Sequence, residues 1–233
     1  YFAIPILDYL DKSNESLLKV KRSISNSKTK ALMSAFFSKN IWVEWAGHYA
    51  IYISKIKRKN QKLIIRLHRY ELFNKKYMDR IKWENVDKLI FVNSELEKKF
   101  LNEINPKVNT ITIPNAIEVN KFKYHEPTSE NSLLAYSISF NPIKSYHKLI
   151  RTFSKLIQIN SNFNLTIAAK SPINEKHIEN YNECKKLIEE NRLHQNITLH
   201  IIKNDNEIMN LLKNNNAIIS YSDVESFHYS FAE

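Results

Sequence analysis

The last fourteen residues, SYSDVESFHYSFAE (220–233), place Glu225 and Glu233 eight positions apart. They follow the apolar run AIISYS (217–222), which suits a buried strand, and the residues between the two acids are suited to opening a helix. Helix N-terminal amides hold anions such as phosphate. Carboxylates near that same end accept hydrogen bonds from sugar hydroxyls. One anion site and two hydroxyl acceptors describe a sugar nucleotide, whereas two solvated helix-end acids need no ligand at all. No D-x-D pair and no His/Cys cluster has metal-ligand spacing, so no metal site is expected. The one cysteine, Cys184, excludes an intrachain disulfide and fits a reducing compartment, with its side chain half-buried on a helix.

Such groups need a scaffold, and the hydrophobic pattern supplies one. Short β-rich apolar runs predict strands at 40–45, 62–68, 88–93, 110–115, 132–137, 164–170, 196–202 and 217–222. Most are apolar on both faces, as strands of a covered parallel sheet are. Between them, spacings of three and four predict helices at 28–38, 48–57, 94–103, 145–158, 175–191 and 206–214. Ser94 with Glu97 reads as a capping box, and Asp205 as a second cap. Strand–helix alternation predicts a doubly wound α/β architecture whose strand C-terminal ends share one ligand-binding edge.

Charge divides the chain. Residues 1–126 hold 24 Lys and Arg against 13 Asp and Glu, and residues 127–233 hold 11 of each, so the whole net charge of +11 sits in the first part. From Lys19 to Arg69 there are 13 basic residues and a single acid, Glu44. This break falls beside the polar, Pro-containing stretch HEPTSENS (125–132), an expected linker. A cationic half attracts polyanions, anionic lipid headgroups or phosphorylated acceptors. No helix-turn-helix, zinc or RNP pattern supports a nucleic-acid partner. No apolar run reaches the roughly 18–20 residues of a membrane span, and the first residues lack the pattern of a signal or transit peptide. Glycine occurs once, at Gly47, so turns that need left-handed backbone must use another residue, Asn or Ser being expected.

Four segments in order resemble the retaining group 1 (family 4) glycosyltransferases of GT-B type. SDVESFHYSFAE (222–233) is similar to their donor motif, a Ser, then E-G-F-G, then a second Glu eight residues after the first. SISFNPIKSYHKLIRTFSKL (137–156) resembles G-R-x-x-x-x-K-G-x-x-x-L-I, with Lys144 on the phosphate-binding Lys. LIFVNSELEKKF (89–100) with ITIPNAIEVNKF (111–122) resembles the junction that closes the N-terminal domain, and RLHRYE (66–71) puts His68 at a strand end as the family's active-site His is placed. Ser139 stands where the family has a phosphate-binding Arg, Ser226 and His228 replace the glycines of E-G-F-G, and Ala116 replaces the Gly of N-G-I-D.

The resemblance implies two Rossmann-like parallel-sheet domains facing across a cleft: a basic acceptor-side domain at 1–126 and a nucleotide-sugar-binding domain at 127–233. A chain without an initiator Met, ending on Glu233, is expected to be truncated at both ends. The implied activity is transfer of a sugar from a nucleotide-diphosphate sugar to a glycan or lipid-linked acceptor, with retention and without metal or cofactor. His68 and Glu225 are the implied catalytic residues, and Lys144, Ser139, Ser226, Phe227 and Glu233 the implied donor-binding ones. Growing negative charge on the departing diphosphate must be neutralised, which suits Lys144 and the amides near Ser226 and Phe227. Synthesis of cell-surface polysaccharide in the cytoplasm, at the inner membrane face through the Lys19–Arg69 region, is the expected setting. The alternative is a nucleotide-sugar-binding protein that keeps the fold with transfer impaired, as Ser139 in place of an Arg suggests.

Overall fold

The computed structural model describes residues 27–223 except 74, 105, 118–125, 127–129, 171 and 173. Glu225, Ser226, Phe227, His228 and Glu233 therefore lie outside the described residues, as does the part of the Lys19–Arg69 region before Ser27. The chain divides into two units, Tyr1–Ala116 and Ile117–Glu233, ten residues before the break in charge.

In the first unit the elements are α1 (Lys28–Phe37), β1 (Asn40–Glu44), α2 (His48–Ile56), β2 (Lys62–Leu67), α3 (Arg69–Leu72), α4 (Lys75–Met78), β3 (Lys88–Phe91), α5 (Ser94–Glu103) and β4 (Thr110–Thr112). Its four strands lie in the order β1-β2-β3-β4, all parallel. Leu63, Ile65 and Leu67 alternate into a core with Leu89, Phe91 and Phe100, all fully buried, and Trp83 packs edge-on to Phe100. Strand β4 stops short of the predicted 115 because Pro114 has no N–H to give the ladder.

The second unit contains β5 (Ser132–Ser137), a 3-10 turn (Pro142–Lys144), α6 (Tyr146–Ile159), β6 (Asn164–Lys170), α7 (Glu175–Glu190), β7 (Ile197–Ile202), α8 (Asp205–Asn214) and β8 (Ala217–Ile218). Its strands run parallel in the order β7-β6-β5-β8. Successive connections leave β5 on one side and return on the other, so a switch point lies between β5 and β8. Cys184 is fully buried in this core, deeper than the sequence suggests, and burial first, then Glu183, pushes its thiol up to about 12.

Asparagine caps the starts of α5, α7 and α8. Asn93 Oδ1 accepts the Leu96 N–H at 2.9 Å, so the cap of α5 is Asn93 and not Ser94, while Glu97 holds the Thr112 hydroxyl. Asn204 similarly caps α8 in place of Asp205. Asn and Asp are comparable caps, and the residue with extended backbone takes the role. Among the described residues left-handed backbone is carried by Trp45, Ser145 and Arg192, of which only Ser145 is a residue type expected there. Arg192 ends α7: its N–H bonds the Glu189 carbonyl and that of Leu193 bonds the Ile188 carbonyl, the motif usually built on glycine.

Candidate functional site

Two clusters form at strand C-terminal ends, one in each unit. In the second unit the chain leaves β5 through Ser137, and the loop to α6 is tied down along its length. Tyr146 donates its hydroxyl to Ser137 Oγ at 2.7 Å, and Ser137 donates in turn to the Ser139 carbonyl at 2.7 Å. Asn180 of α7 donates to the Phe140 carbonyl, and Asn141 Oδ1 accepts the Ile143 N–H. Lys144 ends the resulting 3-10 turn, half-buried, and Ser145 follows with φ 50° before α6 opens.

Asp223 clasps this turn. Its carboxylate accepts Ser145 Oγ–H at 2.6 Å and Lys148 Nζ at 2.6 Å, and its N–H donates to the Ile143 carbonyl at 3.1 Å. The Lys148 bond first, then that of Ser145, holds the carboxyl below its usual range. Thus the segment entering the predicted donor motif is fastened to the turn bearing Lys144, at the switch point between β5 and β8. Ser139 and Lys144 lie on one short loop, and Glu225 is two residues beyond the clasp. Neither Asp223 nor Ser145 is singled out by the motif. A Ser in the left-handed position could have been read from the glycine-free K-S step.

In the first unit His68 sits at the end of β2, nearly buried, with Nε2 2.7 Å from Glu44 Oε1. Register places Glu44 beside Arg66, whose guanidinium lies 3.5 Å from the same carboxylate and also donates to the Asn115 side chain. Trp42 Nε1 donates to the other Glu44 oxygen at 2.9 Å. Burial works to raise the Glu44 carboxyl, but the bonds from His68 and Trp42 and the Arg66 charge outweigh it and hold it low. Glu71 accepts the His68 N–H at 3.1 Å. Burial, reinforced by the nearby Glu44 charge, pushes its carboxyl up to about 7. Sequence reasoning finds His68 and misses its partners. The signal was available: Arg66 interrupts an apolar strand, and Glu44 is the lone acid of a basic region on the strand before it.

Trp83 is a core residue, whereas Trp42, Trp45 and Tyr49 are 46%, 37% and 37% exposed. A surface groove of about 610 Å³ lined by Lys62, Asp87 and Lys107 lies in the first unit where β2 and β3 begin, at the opposite end of β2 from His68, and includes none of the predicted site residues. Among the described residues no group of three His, Cys, Asp or Glu side chains is placed to hold a metal ion. Among them, too, no helix is long and apolar enough to cross a membrane.

No protein-family model matches the chain, and no curated protein matches its sequence. Solved structures do. A mutant of S. aureus TarM, in complex with fondaparinux, alpha-GlcNAc-glycerol and UDP, is 18% identical over 74% of this chain and 34% of its own, with a TM-score of 0.58. Sucrose-phosphate synthase from Thermosynechococcus elongatus is 15% identical over 86% of this chain and 54% of its own, at 0.64. The pneumococcal O-GlcNAc transferase GtfA, in complex with UDP and GlcNAc, is 13% identical over 85% and 40%, at 0.59. The two parallel four-stranded sheets are thus those of the GT-B glycosyltransferase fold. The chain spans about a third to a half of the length of these solved chains.

Proposed function

We propose that this chain is part of a retaining GT-B glycosyltransferase that moves a sugar from a nucleotide-diphosphate sugar to a glycan or lipid-linked acceptor. The clasp between Asp223 and the Ser145–Lys148 start of α6 carries the reading, because it fastens the approach to Glu225 against the turn bearing Lys144. In this reading Lys144, the Ser139 loop and the α6 N-terminus take the diphosphate, whose negative charge grows as the bond to the sugar breaks. The loop is fixed beforehand by its hydrogen bonds to Ser137, Asn141 and Asn180, so its donors need little reorganisation. Glu225 contacts the donor sugar, Ser226 and Phe227 lend backbone amides, and Glu233 accepts from the ribose hydroxyls. His68, oriented by Glu44, is the group assigned to the reacting carbon. The division of labour puts the acceptor on residues 1–126 and the donor on 127–233, with no metal required, in the synthesis of cell-surface polysaccharide.

The acceptor side is cationic, and Lys28, Lys30, Lys39, Lys55, Arg58, Lys59 and Lys62 are all exposed in the first unit. This supports a peripheral position on an anionic, cytoplasm-facing membrane surface where a lipid-linked acceptor would be met. UDP was bound in the TarM and GtfA structures, which makes uridine nucleotides the first donors to try. Calorimetric titration with UDP, GDP and their sugars, run beside an assay for nucleotide release, tests the proposal. Saturable binding with release supports it, and absence of binding to any of them sinks it. Binding without release would favour the impaired, binding-only reading, for which Ser139 in the place of a phosphate-binding Arg is the specific observation.

A further inference from the structure

Trp45 follows β1 with φ 79°, a strained conformation for a bulky L-residue. Its N–H is held by the Arg66 carbonyl at 3.0 Å, so the strain is fixed by the neighbouring strand. Strain of this kind persists where the surrounding structure imposes it and gathers at functional sites. What the conformation achieves is visible in the ring. The indole stacks on the His68 imidazole, centroids 4.1 Å apart and planes 23° from parallel, yet remains 37% exposed. Beneath it His68 is itself pinned by Glu44, and Trp42 is tied to the same carboxylate. The indole is therefore an immobilised ring, supported from below and open to solvent, at the C-terminal edge of a parallel sheet where ligands bind.

We infer that Trp45 is the platform on which a pyranose ring of the acceptor glycan stacks; this rests on the glycosyltransferase reading. A pyranose offers an apolar face of C–H groups bordered by hydroxyls. A fixed indole covers such a face with little loss of side-chain entropy on binding. Phe37, another exposed aromatic residue, does not share this construction. It is 73% exposed at the end of α1, where its ring contact is another exposed ring, Phe36.

The test uses two substitutions in the whole chain. Trp45→Gly removes the ring while accepting φ 79° without strain, so the fold is retained. Trp45→Phe keeps a smaller aromatic face. Binding is read on an array of immobilised neutral and anionic oligosaccharides, with UDP titrated against each protein. The expected result is that Trp45→Gly weakens glycan binding at least tenfold, that Trp45→Phe weakens it less than threefold, and that UDP binding is unchanged in both. Equal glycan binding by Trp45→Gly and the parent overturns the inference, as does a parent chain that binds UDP but no glycan. Failure of the parent to bind uridine or guanosine nucleotides would instead strike the underlying glycosyltransferase reading.

Discussion

Replacing Glu71 by Gln should make the first unit more stable at neutral and alkaline pH. Glu71 is 2% exposed, and its carboxyl is pushed from an ordinary 4.5 up to about 7, chiefly by burial. Between those two values the folded chain holds a proton that the unfolded chain has released. Stability therefore falls as pH rises through this window, is highest below 4.5, and levels off above about 7. At about 1.4 kcal/mol per pH unit, the carboxylate costs the folded state about 3 kcal/mol at pH values above the window. Glutamine keeps the size of the side chain and an oxygen to accept the His68 N–H, but it does not ionise. The stability gap between Glu71→Gln and the parent should be near zero at about pH 4.5 and widen to about 3 kcal/mol by about pH 8. All three tryptophans, Trp42, Trp45 and Trp83, lie in the first unit, so their fluorescence in urea titrations follows that unit's unfolding. A gap that stays constant across this range, or a variant less stable than the parent at about pH 8, would refute the reasoning.

Asp223→Asn should leave the melting temperature nearly unchanged, because the Lys148–Asp223 pair is about half exposed and solvent screens it. It should weaken UDP binding at least fivefold in a calorimetric titration, since the turn bearing Lys144 loses its clasp; undiminished affinity would remove the clasp from the site. The cationic face should bind vesicles rich in anionic lipid and release them in high salt, read by co-sedimentation. Equal binding to neutral vesicles would count against the membrane proposal.

The fold was largely legible because buried parallel strands and amphipathic helices have different hydrophobic periods, and all eight strands among the described residues fall inside predicted segments. The errors are local. Asn93 and Ser94, like Asn204 and Asp205, are adjacent residues able to cap, and only backbone geometry decides between them. Of the site, linear motifs reveal what is close in sequence: Ser139 with Lys144, and His68 at a strand end. They do not reveal pairs made by strand register, such as Glu44 with Arg66, nor the bond from Arg66 to Asn115 across 49 positions. Trp45 is the extreme case, because nothing in the order of residues announces a tryptophan in left-handed backbone.

Among the described residues each sheet is assembled from its own stretch of chain: the strands of the first run from Asn40 to Thr112, and those of the second from Ser132 to Ile218. No described strand of the first sheet has to wait for the second. At about 5–20 residues per second, the ribosome needs roughly 6–23 s to make the 117 residues of the second unit. That interval is ample for the first unit's sheet to close during synthesis, so the buried Glu44–Arg66–His68 cluster can be in place before the second unit is complete.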